Sequence, residues 1–101
     1  MPYATTSHLS VGDIGTELRA RVGKSLANVD HVAFLVSSPH LGTREIAAEV
    51  LDSNIGIISY RIKDGDLARS GIYPIQAKIV YKDGSTYHGN THNMLVKDLL
   101  K

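Results

Sequence analysis

The sequence predicts an all-β protein, an antiparallel β-sandwich of about seven to eight short strands. Three observations predict it. Apolar residues recur with period two through most of the chain, the mark of strands buried on one face. Clusters of Gly, Pro, Asn, Asp and Ser punctuate these runs at short intervals. No long helical segment lies between the runs, as the crossovers of a parallel sheet would require.

The elements follow in order. A short N-terminal strand is expected at about residues 7–11. Ile14, Thr16, Leu18, Ala20 and Val22 alternate with Glu17, Arg19 and Arg21, which reads as a half-buried strand. Val32, Phe34 and Val36 form the next apolar face, ended by Ser37, Ser38 and Pro39. Residues 43–51 admit two readings. Ile46, Ala48 and Val50 alternate with Glu45, Ala47 and Glu49, yet good helix formers are present, and Ile46, Glu49 and Val50 also fit a helical spacing. Strand is preferred, because a sandwich needs its pairing partners.

Ile58, Tyr60 and Ile62 make a further strand, ended by Lys63, Asp64 and Gly65. Tyr73, Ile75, Ala77, Ile79 and Tyr81 form the longest alternation. Asp83 and Gly84 then lie between this strand and a partner at about residues 86–88. An Asp-Gly pair there supplies the positive φ angles of a tight hairpin. A last strand runs through Met94 and Val96. The terminal Leu99 and Leu100 are expected to form a packing tail or a partner contact.

Length and composition bound the function. At 101 residues the chain is one domain, residues 1–101, with a core at about 9–98. Eleven basic against 10 acidic residues build no positive field of the kind nucleic-acid binding needs. Apolar runs such as Val32 to Val36 fall far short of the roughly 20 residues that span a bilayer. Neither nucleic acid nor membrane is therefore an expected partner. The first eight residues lack a basic region and an apolar stretch, predicting no secretory signal. With no cysteine, disulfides and thiolate metal sites are excluded, which fits a reducing site of synthesis such as a bacterial cytoplasm.

The segment from Asp66 to Tyr73 says most about the kind of sandwich. Immunoglobulin-like sandwiches often place a Tyr near the start of a late strand, its ring in the core edge and its hydroxyl on an upstream backbone group. Tyr73 is expected to do this, with Asp66 tying the corner through a side-chain-to-backbone bond. Ile75 stands where antibody domains carry a Cys, so an apolar contact would replace the inter-sheet disulfide. A plain turn followed by a core tyrosine is the blander alternative. The expected fold is thus an immunoglobulin-like antiparallel β-sandwich.

With the pattern assembled, its order resembles the N-terminal immunoglobulin-like domain of phage baseplate upper proteins and related tailed-phage structural proteins. The resemblance is carried by residues 12–18 (Gly-Asp-Ile-Gly-Thr-Glu-Leu), 26–36, 54–60, Asp66 with Gly71, Ile72 and Tyr73, and 81–85 (Tyr-Lys-Asp-Gly-Ser). It implies a non-catalytic domain that docks a tail or baseplate component and assembles in several copies. Family members often carry the domain in front of a longer coiled-coil or receptor-attaching region, which these 101 residues do not include.

Candidates for chemistry are few. The five histidines are His8, His31, His40, His88 and His92. His88 and His92 have a helical ligand spacing, but Gly89, Asn90 and Thr91 between them indicate loop or strand, where that spacing does not converge two rings. The histidines do permit a pH-responsive interface. Ser38 and His40 are close in sequence but on an extended loop, which rarely aligns a nucleophile with a base. Asp64 and Asp66 are expected at a solvated hairpin tip. Arg19, Arg21, Lys24, Arg44, Arg61 and Arg69 are read as mostly solvated strand faces, some suited to interface pairing.

No catalytic, cofactor-binding or metal-binding residues are therefore assigned. The expected function is a non-enzymatic assembly module of a tailed phage or prophage. Its partners would be other virion proteins and sister copies, and its location the virion, with the host cytoplasm during assembly. The alternative is a carbohydrate- or cell-surface-binding module in which Tyr87, His88, Asn90 and His92 form a sugar platform. The lack of Trp, with only five Tyr and one Phe, weighs against it.

Overall fold

The computed structural model describes residues 9–38 and 40–98. Among these residues eight strands follow in order: β1 (Leu9–Ser10), β2 (Glu17–Arg21), β3 (Val29–Ser38), β4 (Gly42–Asp52), β5 (Ile57–Arg61), β6 (Gly71–Tyr81), β7 (Thr86–His88) and β8 (His92–Lys97). They form one curled sheet in the order β1-β8-β6-β3-β4-β5-β2, with β7 beside the second half of β6. The curl folds the sheet on itself into an all-β sandwich.

The curl is made by β4. Its residues from Gly42 to Ala48 pair with β3, and from Glu49 onward it pairs with β5 instead. One layer therefore holds β1, β8, β6, β7, β3 and the first part of β4. The other holds the end of β4 with β5 and β2. This settles the two readings of residues 43–51 in favour of strand. The side chains of Arg44, Ile46 and Ala48 alternate with those of Thr43, Glu45 and Ala47, a pattern with only one buried face.

Between the layers lies a single core. Leu18, Ala20 and Ile58 come from the smaller layer, and Phe34, Tyr73, Ile75, Ala77, Ile79, Met94 and Val96 from the larger. These are the alternating residues of each strand, so period-two burial located the core. Two of the apolar residues that the alternation assigned to strand faces miss it. Ile14 is 64% exposed because β2 begins only at Glu17, and Val50 is 39% exposed because it lies beyond the end of the β3 pairing.

Backbone hydrogen bonds fix which way each strand's peptide groups point. In an antiparallel strand, successive residues turn N–H and C=O to opposite edges. Tyr81 N donates to Ser85 O and Gly89 N donates to Ala77 O, so odd-numbered residues of β6 face β7 and even-numbered ones face β3. Carried across the register, this turns Arg44, Ile46 and Ala48 of β4 toward β3, and Thr43, Glu45 and Ala47 toward the outer edge. Likewise, Ile62 N donates to Thr16 O and Val22 N donates to Gly56 O. The even-numbered residues of β2 thus face β5, and Glu17, Arg19 and Arg21 turn to the other edge.

Two expectations need correction. The pairing is not wholly antiparallel, since β1 runs parallel to β8 with Leu9 opposite Val96. A two-residue strand following β8 in direction still buries Leu9, which is the gain that holds it there. The hairpin after β6 also differs. Of Asp83 and Gly84 only the glycine has a positive φ, 90°, so Asp83 does not share that role. The loop is three residues long, closed by Gly84 N on Tyr81 O, and the Asp83 carboxylate accepts from Ser85 N and Oγ. The terminal leucines and most of the expected 7–11 strand's first part, residues 7 and 8, lie outside the described residues.

Candidate interaction surfaces

One end of the sandwich is organised by a buried carboxylate. Asp66 is 8% exposed and receives three donors. Tyr60 Oη donates to its Oδ2 at 2.6 Å, Lys63 N to the same oxygen at 2.8 Å, and an Arg44 Nη to its Oδ1 at 2.8 Å. The cluster ties β4, β5 and the loop before β6 together. Beside it, Tyr73 Oη donates to Arg69 O at 2.5 Å, four residues upstream, the corner bond expected from sequence. The expectation of a solvated tip therefore fails for Asp66, which three hydrogen bonds compensate for leaving water.

Charge states follow from these contacts. Burial pushes the Asp66 carboxyl up, but the bonds from Tyr60, Arg44 and Lys63 N outweigh it and hold the group below the usual range. Burial and the bond to Asp66 push the Tyr60 phenol up to about 12. On the outer face of the larger layer, Lys78 Nζ donates to Glu45 Oε1 at 2.8 Å across β3 and lowers the Glu45 carboxyl.

The sequence did not lead to the Arg44–Asp66–Tyr60 cluster, although a signal was present. Arg44 has the same strand parity as Ile46 and Ala48, and Tyr60 the same parity as Ile58 and Ile62. A cation and a hydroxyl on core-facing positions call for a buried acceptor.

Among the described residues the histidines do not converge. His31 Nδ1 lies 2.9 Å from Asp30 Oδ2. His40 Nε2 lies 3.0 Å from Gly65 O, and its ring meets Tyr73 edge-on with centroids 6.3 Å apart. His88 stands opposite Lys78 and His92 opposite Ile75. His8 lies outside the described residues. Among the described residues no group of three or more His, Cys, Asp or Glu could hold a metal ion. Ser38 Oγ accepts from Leu41 N, which makes it a turn-closing group. None of the described residues lies in a helix long and apolar enough to cross a membrane.

The proposed sugar platform is also divided. Tyr87, Asn90 and His92 line a hollow of about 30 Å³ together with Arg21, far below the ~300 Å³ of a typical ligand pocket. Tyr87 packs against the core, and Lys24 Nζ sits 4.6 Å from its ring centroid. His88 has the opposite parity and points outward.

What remains open to a partner is edge and end. The outer edge of β2 has no strand beside it among the described residues, and neither has the first part of β4. Where β4 leaves β5, the strands diverge and open a cleft of about 420 Å³ lined by Ala47, Glu49, Leu51, Ser59, Arg61 and Lys63, among others. Exposed apolar side chains gather at both ends of the sandwich. Ile14, Leu41, Ile72 and Leu95 lie toward the end that holds Asp66, with Ile72 directly opposite Leu95, and Val50, Leu51 and Ile55 toward the other.

Comparison with known proteins agrees on the fold. The crystal structure of CopC from Methylosinus trichosporium OB3b superposes with a TM-score of 0.57 at 12% sequence identity, over 97% of this chain and 89% of that one. At that identity the likeness is one of fold alone. No protein-family model and no curated protein matches the chain.

Proposed function

We propose that this chain is a non-catalytic structural and assembly module of a tailed bacteriophage or prophage, a baseplate, tail or neck component acting through protein–protein contacts. The observation that supports it is the pair of strand edges, on β2 and on the first part of β4, whose peptide groups point away from the sandwich. Such edges accept a strand from another chain. Subunits arranged in a ring or tube cover one another's edges and bury the apolar side chains at their ends. The phage context rests on the ordered sequence blocks that resemble baseplate domains. Other virion proteins and sister copies are the partners, and the virion is the location.

The test is sedimentation of particles from a lysing culture that expresses the protein at its natural level, followed by mass spectrometry of the particle band. Recovery of several copies per particle is expected. Finding the chain only in the free fraction would overturn the reading.

A further inference from the structure

We propose that β2 is a self-complementary edge at which two copies of this chain pair antiparallel across a twofold axis through Leu18. The inference deepens the assembly reading by naming the edge, the partner and the register.

Glu17, Arg19 and Arg21 turn their peptide groups to the outer edge of β2, while Leu18 and Ala20 bond toward β5 and bury their side chains in the core. An edge strand of five residues with three charges resists pairing with an arbitrary apolar edge. The same charges select among the ways in which β2 can meet its own copy. An axis through Ala20 sets Arg19 opposite Arg21 twice. An axis through Arg19 sets Glu17 opposite Arg21 on both sides but also sets Arg19 against its own copy at the centre. An axis through Leu18 sets Glu17 opposite Arg19 on both sides, so each cross-strand pair is of opposite sign, and directly opposed charges stabilise or destabilise according to sign.

Two further observations favour the Leu18 axis. Arg19 Nε already donates to Glu17 Oε1 of its own chain at 2.9 Å, on the same face of the strand. Glu17 has contacts of its own in the monomer, so pairing places this carboxylate between two arginines and fills no vacancy. The Arg21 end of β2 lies against the segment before β8, since Arg21 lines the hollow with Asn90 and His92. Pairing centred on Leu18 keeps clear of that end. The result is a six-stranded layer, β4-β5-β2 continued by β2-β5-β4 of the second copy.

The experiment measures mass in solution by light scattering and sedimentation. The wild-type chain is expected to form a concentration-dependent dimer that weakens about tenfold or more as salt rises from about 0.05 M to about 0.5 M. Glu17→Arg alone opposes arginines, and Arg19→Glu alone opposes glutamates, so each variant is expected to be monomeric. Mixing the two restores opposite signs in a heterodimer, and the chain carrying both substitutions again forms a homodimer. Circular dichroism confirms that each variant is folded. A wild-type chain that stays monomeric at about 1 mM, or single variants that dimerise as well as wild type, overturns the proposal. A mixture of folded variants that stays monomeric does so too. The two readings separate cleanly: a monomer recovered in particles sinks only the edge proposal, and a dimer with this charge dependence that is absent from particles sinks only the phage role.

Discussion

At the scale of single residues, Asp66 concentrates more consequence than any other side chain described. Replacing it with Ala leaves the Arg44 guanidinium, the Tyr60 hydroxyl and Lys63 N without their acceptor. Leaving such partners unmatched costs about 2–4 kcal/mol, measurable as a lower urea midpoint. The pH dependence has a definite sign. Folding lowers the Asp66 pKa, so the folded chain holds that proton less tightly than the unfolded one. Its contribution is present above the ordinary aspartate value of about 4 and is lost as pH falls below it. The stability gap between wild type and Asp66→Asn therefore narrows on acidification through that range. Tyr60 behaves in mirror image. Its phenol is pushed up to about 12 by burial and by Asp66. The contribution is full below the ordinary tyrosine value of about 10 and lost as pH rises through about 12. A phenolate absorbance titration should show a component ionising near pH 12, and Tyr60→Phe should remove it.

At the scale of elements, the turn between β4 and β5 is the most demanding. Gly56 has a φ of 86°, and a methyl group there would stand 2.2 Å from Lys24 O. Its own carbonyl accepts from Val22 N, joining the turn to the end of β2. Gly56→Ala is expected to cost about 2 kcal/mol or more, because strain and a backbone clash add; chemical denaturation checks it. Elements of this kind also show what the sequence could reveal. The strands were legible because burial on one face writes period two into residues such as Tyr73, Ile75, Ala77 and Ile79. The corner was legible because Tyr73 follows a turn at a spacing that lets its hydroxyl reach Arg69 O. The parallel β1–β8 pair was not, since two residues carry no directional signal. The Asp66 cluster was not, because its members are 22 and 6 residues from the carboxylate and meet only once the layers close. The open edge of β2 was hidden for a related reason: strand patterning tells which side chains are buried, not which strand ends a sheet.

At the scale of the molecule, β4 belongs to both layers, so neither can unfold while leaving the other intact. Ile58→Ala, in the smaller layer, removes a fully buried side chain and should cost about 3 kcal/mol. The loss should appear as one shifted transition, the same by circular dichroism and by tyrosine fluorescence, and two separated transitions would contradict it. The shared strand also leaves a signature in amide exchange with deuterated water. Over its first part, the protons of Arg44, Ile46 and Ala48 are engaged by β3 and should exchange slowly, while those of Thr43, Glu45 and Ala47 exchange fast. At the changeover the rhythm slips, because the Ala48 amide still belongs to β3 and the Glu49 amide already belongs to β5. Two slow neighbours in a row mark the point at which one layer becomes the other.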